Sequence, residues 1–237
     1  MDKKVQLQKL IDKYQNDINY HRSAKYNETQ LRTDFLDQLF FILGWDITNT
    51  AGKPTNEREV LVEEGLKARA SENTKKPDYT FRLFSERKFF LEAKKPSVDI
   101  STAIDPALQV RRYGFTAKLK ISVLSNFEYT AIYDCSNPVK ETDSVANSRI
   151  KLYHFTELVD NFDEINNLIG RESVYTGQFD NEWSEIESKI LKFSIDDLFL
   201  KQINDWRLLL ANDFLQIKNE LSEEKLNDLA QNYINSI

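Results

Sequence analysis

The chain has 237 residues, 41% of them hydrophobic and 30% charged, a composition typical of a globular protein with one or two domains. Its single cysteine, Cys135, excludes an intrachain disulfide, and one cysteine with two histidines leaves no ligand set for a zinc site. No apolar run approaches the roughly eighteen residues that cross a bilayer, and the first residues lack the hydrophobic region of a signal peptide. We therefore expect a cytoplasmic protein without a membrane partner.

The net charge of −6 is distributed unevenly along the chain. Residues 65–120 contain thirteen Lys/Arg and six Asp/Glu, a net charge of +7, so the remainder carries −13. Residues 157–237 contain seven basic and seventeen acidic residues. Such asymmetry favours a phosphate-facing surface in the basic segment. A solvated basic face without a function has the same composition, so charge alone does not distinguish the two.

Two amphipathic helices are predicted at the start of the chain. Apolar residues recur at helical spacing over residues 3–20, which predicts the first, and His21 is expected to be solvated. Asn27 and Gln30 form a capping-box pair at the start of the second helix, and Gly44 ends it.

Strands are predicted next, with one helix among them. Alternating apolar and polar residues predict a hairpin made of Asp78–Phe84 and Lys88–Lys94. After it, Asp105 is expected to cap a helix that has Pro106 in its first turn and stops near Gly114. The other predicted strands are residues 57–64, 120–125, 128–133 and an edge strand at 149–154.

The pattern changes after residue 155, where no convincing strand follows. Apolar residues at helical spacing from Phe199 to Leu221 predict a long amphipathic helix, and Ser222 begins a last one. We predict an α/β domain over residues 1–155, with a mixed central sheet flanked by helices, and an all-helical segment over residues 156–237.

Two short segments of the hairpin suggest chemistry. Asp78 lies fourteen positions before Glu92 on the partner strand, and Glu92 and Lys94 share one strand face. Two carboxylates beside an ammonium can hold Mg²⁺ through oxygen ligands and place a positive charge near the attacking water. An ordinary hairpin with charged residues on its exposed face gives the same pattern, so other motifs must distinguish the two interpretations.

Four motifs follow one another in residues 1–155. They are Asn27-Glu28-Thr29 with Arg32, Lys76-Pro77-Asp78-Tyr79, Phe90-Leu91-Glu92-Ala93-Lys94-Lys95-Pro96, and the Gln-x₃-Tyr spacing of Gln109 and Tyr113. In this order the chain resembles the PD-(D/E)xK nuclease superfamily. More narrowly, it resembles the N-terminal endonuclease domain of type IIG-like restriction–modification proteins and the R subunits of type I systems.

The resemblance implies a metal-dependent nuclease site. Asp78 and Glu92 are then the Mg²⁺ ligands, with the carbonyl of Ala93 as a third, and Mn²⁺ is a plausible substitute. Lys94 would orient the attacking water and stabilise the charge that develops on the phosphate. The same residues on a surface hairpin would have no function.

Further residues are assigned with the same resemblance. Glu28 is implied to lie beside the metal, although an acidic residue in the first turn of a helix is favoured without any function. Gln109 and Tyr113 lie one helical turn apart and are implied to line the site, whereas Tyr113 could otherwise be core packing. Three basic residues are predicted phosphate contacts or, equally, solvated side chains: Lys95, Arg111 and Arg112.

The predicted partners also follow from the resemblance. Residues 195–237 resemble the connector that joins such nucleases to a methyltransferase, yet the chain has no glycine-rich S-adenosylmethionine loop and no helicase motif. The expected partners are double-stranded DNA, methyltransferase and target-recognition domains, and a second copy in a transient dimer. S-adenosylmethionine is expected only with a downstream methyltransferase. Two alternatives stay open: a nuclease-fold module that binds DNA or a protein without chemistry, and a nuclease for RNA or for nucleic-acid structures.

Overall fold

A computed structural model describes residues 2–64 and 76–190, together with residues 202, 203, 206 and 209. Its centre is a six-stranded sheet in the order β1-β2-β3-β4-β5-β6, comprising Val60–Val62, Tyr79–Leu83, Glu86–Ala93, Ile121–Ser125, Tyr129–Asp134 and Arg149–His154. Strands β3 and β4 are parallel, and every other neighbouring pair is antiparallel. The predicted α/β fold with a mixed central sheet is thus confirmed, including the edge position of β6.

Helices precede, interrupt and follow the sheet. Before it lie α1 (Lys3–Asn16), α2 (Ile18–His21), α3 (Glu28–Leu31), a π-helical turn (Arg32–Leu36) and α4 (Asp37–Ile42). Helix α5 (Ile104–Thr116) makes the crossover that the parallel pair β3–β4 requires. A short 3₁₀ turn (Phe155–Glu157) leads to α6 (Phe162–Ile169), α7 (Arg171–Tyr175) and α8 (Gln178–Glu182), and residues 184–190 are also helical.

Each face of the sheet is covered by different helices. Helix α5 packs Ala107 and Val110 against Leu124, Ala131 and Tyr133. On the other face, aromatic side chains of α4 and its C-terminal turn contact those of β2 and β3. Phe40, Trp45 and Phe89 have ring centroids 4.6, 5.0 and 4.4 Å from that of Phe81. All four rings are buried, so they contribute strongly to the core on that face.

Four details of the helices differ from the prediction. The first helix is split at Asp17, and His21 is buried rather than solvated, because its ring stacks on Tyr14 with 5.0 Å between centroids. Helix α5 begins at Ile104 with Ala103 as its N-cap, so Asp105 lies in the first turn and is not the cap. The helix also continues past Gly114, where a Cβ atom would lie 2.3 Å from the Cys135 Sγ. Gly114 therefore permits close packing of α5 on β4 and β5 instead of ending the helix.

The chain divides into two compact units, Met1–Glu187 and Ser188–Ile237. Helices α6–α8 belong to the first unit, whereas the predicted functional boundary at residue 155 stays a prediction. The helices predicted after residue 198 lie outside the described residues, apart from four isolated positions that are helical. Within the described ranges, no helix is both long and apolar enough to cross a membrane.

Glu59 connects the start of β1 to α7 through a buried ion pair that sequence patterns did not predict. Its carboxylate is 4% exposed and accepts two hydrogen bonds from Arg171, at 2.8 and 2.9 Å. Lys53 and Tyr175 donate to the same carboxylate at 2.7 and 2.9 Å. Burial opposes the charge, but these donors outweigh it and lower the pKa of Glu59 to about 2.

We expect Glu59→Gln to lower the free energy of unfolding by about 3 kcal/mol at pH 7, because it leaves Arg171 without its partner. Since the folded pKa lies below the unfolded one, the contribution is complete above the unfolded pKa and is lost as the pH falls from about 5 towards 2. Urea unfolding of parent and variant at several pH values measures this. Glu164→Gln, which breaks an exposed ion pair with Lys151, is the control and should cost less than about 1 kcal/mol. A parent–variant difference that stays constant down to pH 2 would contradict the assignment.

Candidate active site

Two carboxylates meet where β2 begins and β3 ends. Tyr79 of β2 pairs with Leu91 of β3, so one step further along the antiparallel register Asp78 lies opposite Glu92. The Ala93 amide donates a hydrogen bond to the Asp78 Oδ2 at 2.7 Å, which ties Asp78 to the end of β3. The hairpin thus brings together the two acidic residues that the sequence singles out.

Glu92 is the most deeply buried group of the cluster, at 3% exposure. Its Oε1 accepts hydrogen bonds from the Lys94 Nζ and the Gln109 Nε2, both at 2.6 Å. Its Oε2 is also buried but has no hydrogen-bond partner. Burial, with the negative charge of Asp78, raises the pKa of Glu92 to about 7. A buried carboxylate oxygen without a donor is costly, and a cation bound there would compensate it.

Lys94 supplies the positive charge beside these carboxylates. Burial of its ammonium lowers the pKa, but the attraction of Glu92, Glu28 and Asp78 outweighs burial and raises it above the ordinary lysine value. The Lys94 backbone amide donates to the Ser125 carbonyl at 3.1 Å, which continues the β3–β4 ladder. Lys94 is therefore a fixed, protonated donor at the end of the strand.

Gln109 and Tyr113 reach the site from α5. The Gln109 Nε2, besides contacting Glu92, lies 2.9 Å from the Tyr113 hydroxyl. The Tyr113 ring packs with Phe90 and Leu119 and is buried. The ring of Tyr113 thus fills the core while its hydroxyl extends the polar chain that ends at Glu92, and a role of this hydroxyl in the site stays a prediction. Burial also raises the pKa of this hydroxyl.

Glu28 approaches the cluster from the first turn of α3. The predicted capping box is present, with the Asn27 side chain accepting from the Gln30 amide and the Gln30 side chain accepting from the Asn27 amide. Burial raises the pKa of Glu28, Lys94 opposes that change, and Asp78 adds to it. Glu28 therefore interacts electrostatically with Asp78 and Lys94, in addition to its favourable interaction with the dipole of its own helix.

A further set of contacts around Asp78 and Tyr79 was not predicted from the sequence. The Arg32 Nη1 lies 3.3 Å from the Asp78 Oδ1 and 3.3 Å from the Glu63 Oε1. Tyr79, which follows Asp78 directly, donates to the Asp37 Oδ1 at 2.7 Å. Asp37 is half-buried, and burial raises its pKa although Tyr79 and Arg32 oppose that change. Arg32 is part of the first motif, but no sequence signal pointed to Asp37.

The three predicted phosphate contacts have different environments. Lys95 and Arg112 are exposed, as a contact with DNA requires. Arg111 is 2% exposed and its Nη1 lies 2.9 Å from the Asp143 Oδ2, in the loop between β5 and β6. Assigning Arg111 to phosphate contact does not fit this burial, because its guanidinium already neutralises an internal carboxylate.

The chemistry of the donor set suits Mg²⁺. Asp78 and Glu92 provide two carboxylates, and Mg²⁺ usually binds proteins through one or two carboxylates while it keeps several waters. The unpartnered Glu92 Oε2 is the oxygen with free capacity for a cation. Among the described residues, no group of three or more His, Cys, Asp or Glu could hold a metal ion by itself. Ligation by the Ala93 carbonyl stays a prediction.

The whole of this chain is similar to part of a larger curated protein. It is 91% identical over 237 residues to the type II restriction enzyme and methyltransferase RM.Eco57I of Escherichia coli. The chain spans 24% of the length of that protein. No family model matches the chain, and no solved structure matches it.

Proposed function

We propose that the chain is the endonuclease region of a bacterial restriction–modification protein, which hydrolyses phosphodiester bonds of double-stranded DNA with Mg²⁺. The observation that carries the proposal is the convergence of Asp78, Glu92, Lys94 and Gln109 at one end of the sheet, with one Glu92 oxygen buried and unpartnered. The high identity to a restriction enzyme and methyltransferase supports the same conclusion.

Asp78 and Glu92 would hold the cation, with the Ala93 carbonyl as a third ligand. When bound, Mg²⁺ supplies positive charge that polarises phosphate oxygens and activates a water. The Glu92 Oε1 already accepts hydrogen bonds from Lys94 and Gln109, so these bonds restrict rotation of the carboxylate and fix the position of its Oε2. Asp78 is fixed in the same way by the Ala93 amide.

The remaining side chains act on water and phosphate. Lys94 is protonated, so it donates hydrogen bonds to the attacking water and to the phosphate oxygens on which charge develops. Gln109 and Tyr113 keep Glu92 oriented and provide further donors at the edge of the site. Glu28 adds negative charge near Lys94, which favours the protonated ammonium and the bound cation.

Lys95 and Arg112 would contact the DNA backbone. Both are exposed, Lys95 just after β3 and Arg112 on α5. Phosphate contacts orient the duplex without reading its sequence. Specificity would then come from target-recognition and methyltransferase regions, and S-adenosylmethionine would bind to the latter. A double-strand break would use a second copy in a transient dimer. The working compartment would be the cytoplasm.

Cleavage of supercoiled plasmid separates this proposal from a module that only binds. Purified protein with the chain in its full-length context should convert unmethylated plasmid to nicked and linear forms in Mg²⁺ or Mn²⁺, and not in EDTA. The same protein should leave single-stranded RNA intact. Binding of the plasmid without cleavage in either metal would favour the inactive module, and preferred cleavage of RNA would favour the third alternative.

We expect DNA binding by the 237-residue chain alone to be weak and strongly dependent on salt, because it comes from phosphate contacts in a protein with a net charge of −6. Fluorescence anisotropy with a labelled duplex over a range of KCl concentrations gives the slope of log K against log salt. Replacing Lys95 and Arg112 together with Gln should reduce that slope by about 2, and Lys151→Gln, on the edge strand β6, should leave it unchanged. Tight, sequence-specific binding that is indifferent to salt would contradict this expectation.

A further inference from the structure

A π-helical turn, Arg32–Leu36, lies between α3 and α4, and the amide of Asp37 closes it on the Arg32 carbonyl. In an α-helix with 3.6 residues per turn, side chains five positions apart point in different directions. A hydrogen bond from residue i+5 to residue i instead brings Arg32 and Asp37 one above the other on the same side of the helix. Such π-turns are frequent at functional sites.

Both side chains reach the same phenol. The Tyr79 hydroxyl donates to the Asp37 Oδ1 at 2.7 Å and lies 3.3 Å from the Arg32 Nε, which donates to it. The Arg32 guanidinium also lies 4.8 Å from the centre of the Tyr79 ring. Tyr79 is 2% exposed, so these contacts form away from solvent and hold the plane of the guanidinium.

The other edge of the Arg32 guanidinium faces the carboxylates of Asp78 and Glu63. The Arg32 Nη1 is shared between the Asp78 Oδ1 and the Glu63 Oε1, at 3.3 Å each. Because the Ala93 amide holds the Asp78 Oδ2, both oxygens of this carboxylate have a fixed donor. Asp78 is thus restrained from β3 and from the π-turn at the same time.

We propose that Arg32 is a positioning residue that acts through Asp78. It fixes the rotation of the Asp78 carboxylate relative to Glu92, and the Tyr79–Asp37 pair holds Arg32 in turn. This inference rests on the proposed function, in which Asp78 and Glu92 share one cation. A lysine would keep the charge but lose the planar fork that reaches Tyr79, Asp78 and Glu63 together, so charge and geometry can be separated.

Mg²⁺ binding by the 237-residue chain, measured by calorimetry without DNA, tests the proposal. Outer partners of metal ligands typically change affinity by 10- to 100-fold, and we expect Arg32→Lys to weaken Mg²⁺ binding within that range. Tyr79→Phe removes only the hydroxyl and should weaken binding in the same direction by a smaller factor. Arg87→Lys is the matched control, because Arg87 makes a two-bond ion pair with Glu64 near the other end of β3.

The outcomes separate this inference from the function on which it rests. Weaker Mg²⁺ binding by Arg32→Lys and Tyr79→Phe, with melting temperatures near that of the parent, supports positioning. If both variants bind Mg²⁺ as tightly as the parent or more tightly, and Glu92→Gln binds it more weakly, the role of Arg32 is overturned but the proposed function is not. A lower melting temperature with unchanged Mg²⁺ affinity overturns it as well, because the π-turn would then be a structural tether. If the parent chain binds no Mg²⁺, the proposed function and this inference both fail.

Discussion

Replacing Asp78, Glu92 or Lys94 with alanine is expected to abolish Mg²⁺-dependent DNA cleavage by the full-length protein while methylation persists. The two carboxylates provide the oxygens with which the site would hold Mg²⁺, and Lys94 is the half-buried donor 2.6 Å from the Glu92 Oε1. Each loss should therefore be close to complete and should not be recovered by more Mg²⁺.

The measurement is the initial rate of plasmid nicking, with methyl transfer by the same preparation as the test of integrity. Because Glu92 is buried, Glu92→Ala could also disturb the packing of the core. Glu92→Gln is therefore measured as well, since it keeps the volume of the side chain and removes only the charge. Glu86→Ala, at the exposed start of the same strand, is the control and should cleave normally. Near-normal nicking by any one of the three alanine variants would remove that residue from the mechanism.

Gln109→Ala is expected to reduce the cleavage rate by the equivalent of about 2.7–4 kcal/mol in activation free energy, as when one preorganised donor is lost from a catalytic site. The Gln109 Nε2 lies 2.6 Å from the Glu92 Oε1, so its removal frees the carboxylate to rotate. Gln109 is only half-buried and fills no core volume, so the melting temperature should change little. Gln8→Ala on α1, where the exposed Gln8 side chain donates to the Asp12 Oδ1 at 2.8 Å, is the matched control.

Tyr113→Phe tests the same polar chain from its other end. The variant retains the ring that packs with Phe90 and Leu119 and removes only the hydroxyl bonded to Gln109. We expect cleavage to fall while the melting temperature is retained. If Gln109→Ala and Tyr113→Phe both cleave at the parent rate, the Gln-x₃-Tyr motif is a coincidence, although the assignment of Asp78, Glu92 and Lys94 would stand.

Local patterns predicted much of the fold. The alternation in the hairpin gave the strands that became β2 and β3, and the polar break at residues 85–87 gave their antiparallel pairing. The Asn27–Gln30 capping box is observed because both of its partners lie within one helical turn. Such features depend on neighbours in sequence, which is why they can be predicted without a structure.

Features that depend on distant residues were not predicted. Arg111 and Arg112 have the same charge in adjacent positions, but Arg111 is buried and paired with Asp143, 32 residues later, whereas Arg112 is exposed. Gly114 has the signature of a helix end, but the proximity of Cys135 gives it a packing role. The π-turn has no pattern of its own in sequence, so the convergence of Arg32 and Asp37 on Tyr79 could not be predicted.

The candidate site was predicted as a set of residues but not as a set of contacts. Spacing placed Asp78, Glu92 and Lys94 on one hairpin and Gln109 with Tyr113 on one helix face. It could not indicate that Gln109 and Lys94 share the Glu92 Oε1 and leave the Oε2 unpartnered. That asymmetry depends on how α5 packs on β3, which is a property of the tertiary structure.

A crystal structure of the chain soaked with Mn²⁺, with anomalous diffraction measured at the manganese edge, tests the central claim most directly. The account predicts an anomalous peak within coordination distance of both the Asp78 carboxylate and the Glu92 Oε2, which disappears in Glu92→Gln. A fully occupied peak elsewhere, or no peak while Lys94 remains bonded to Glu92, would contradict the claim that these two carboxylates share one metal ion.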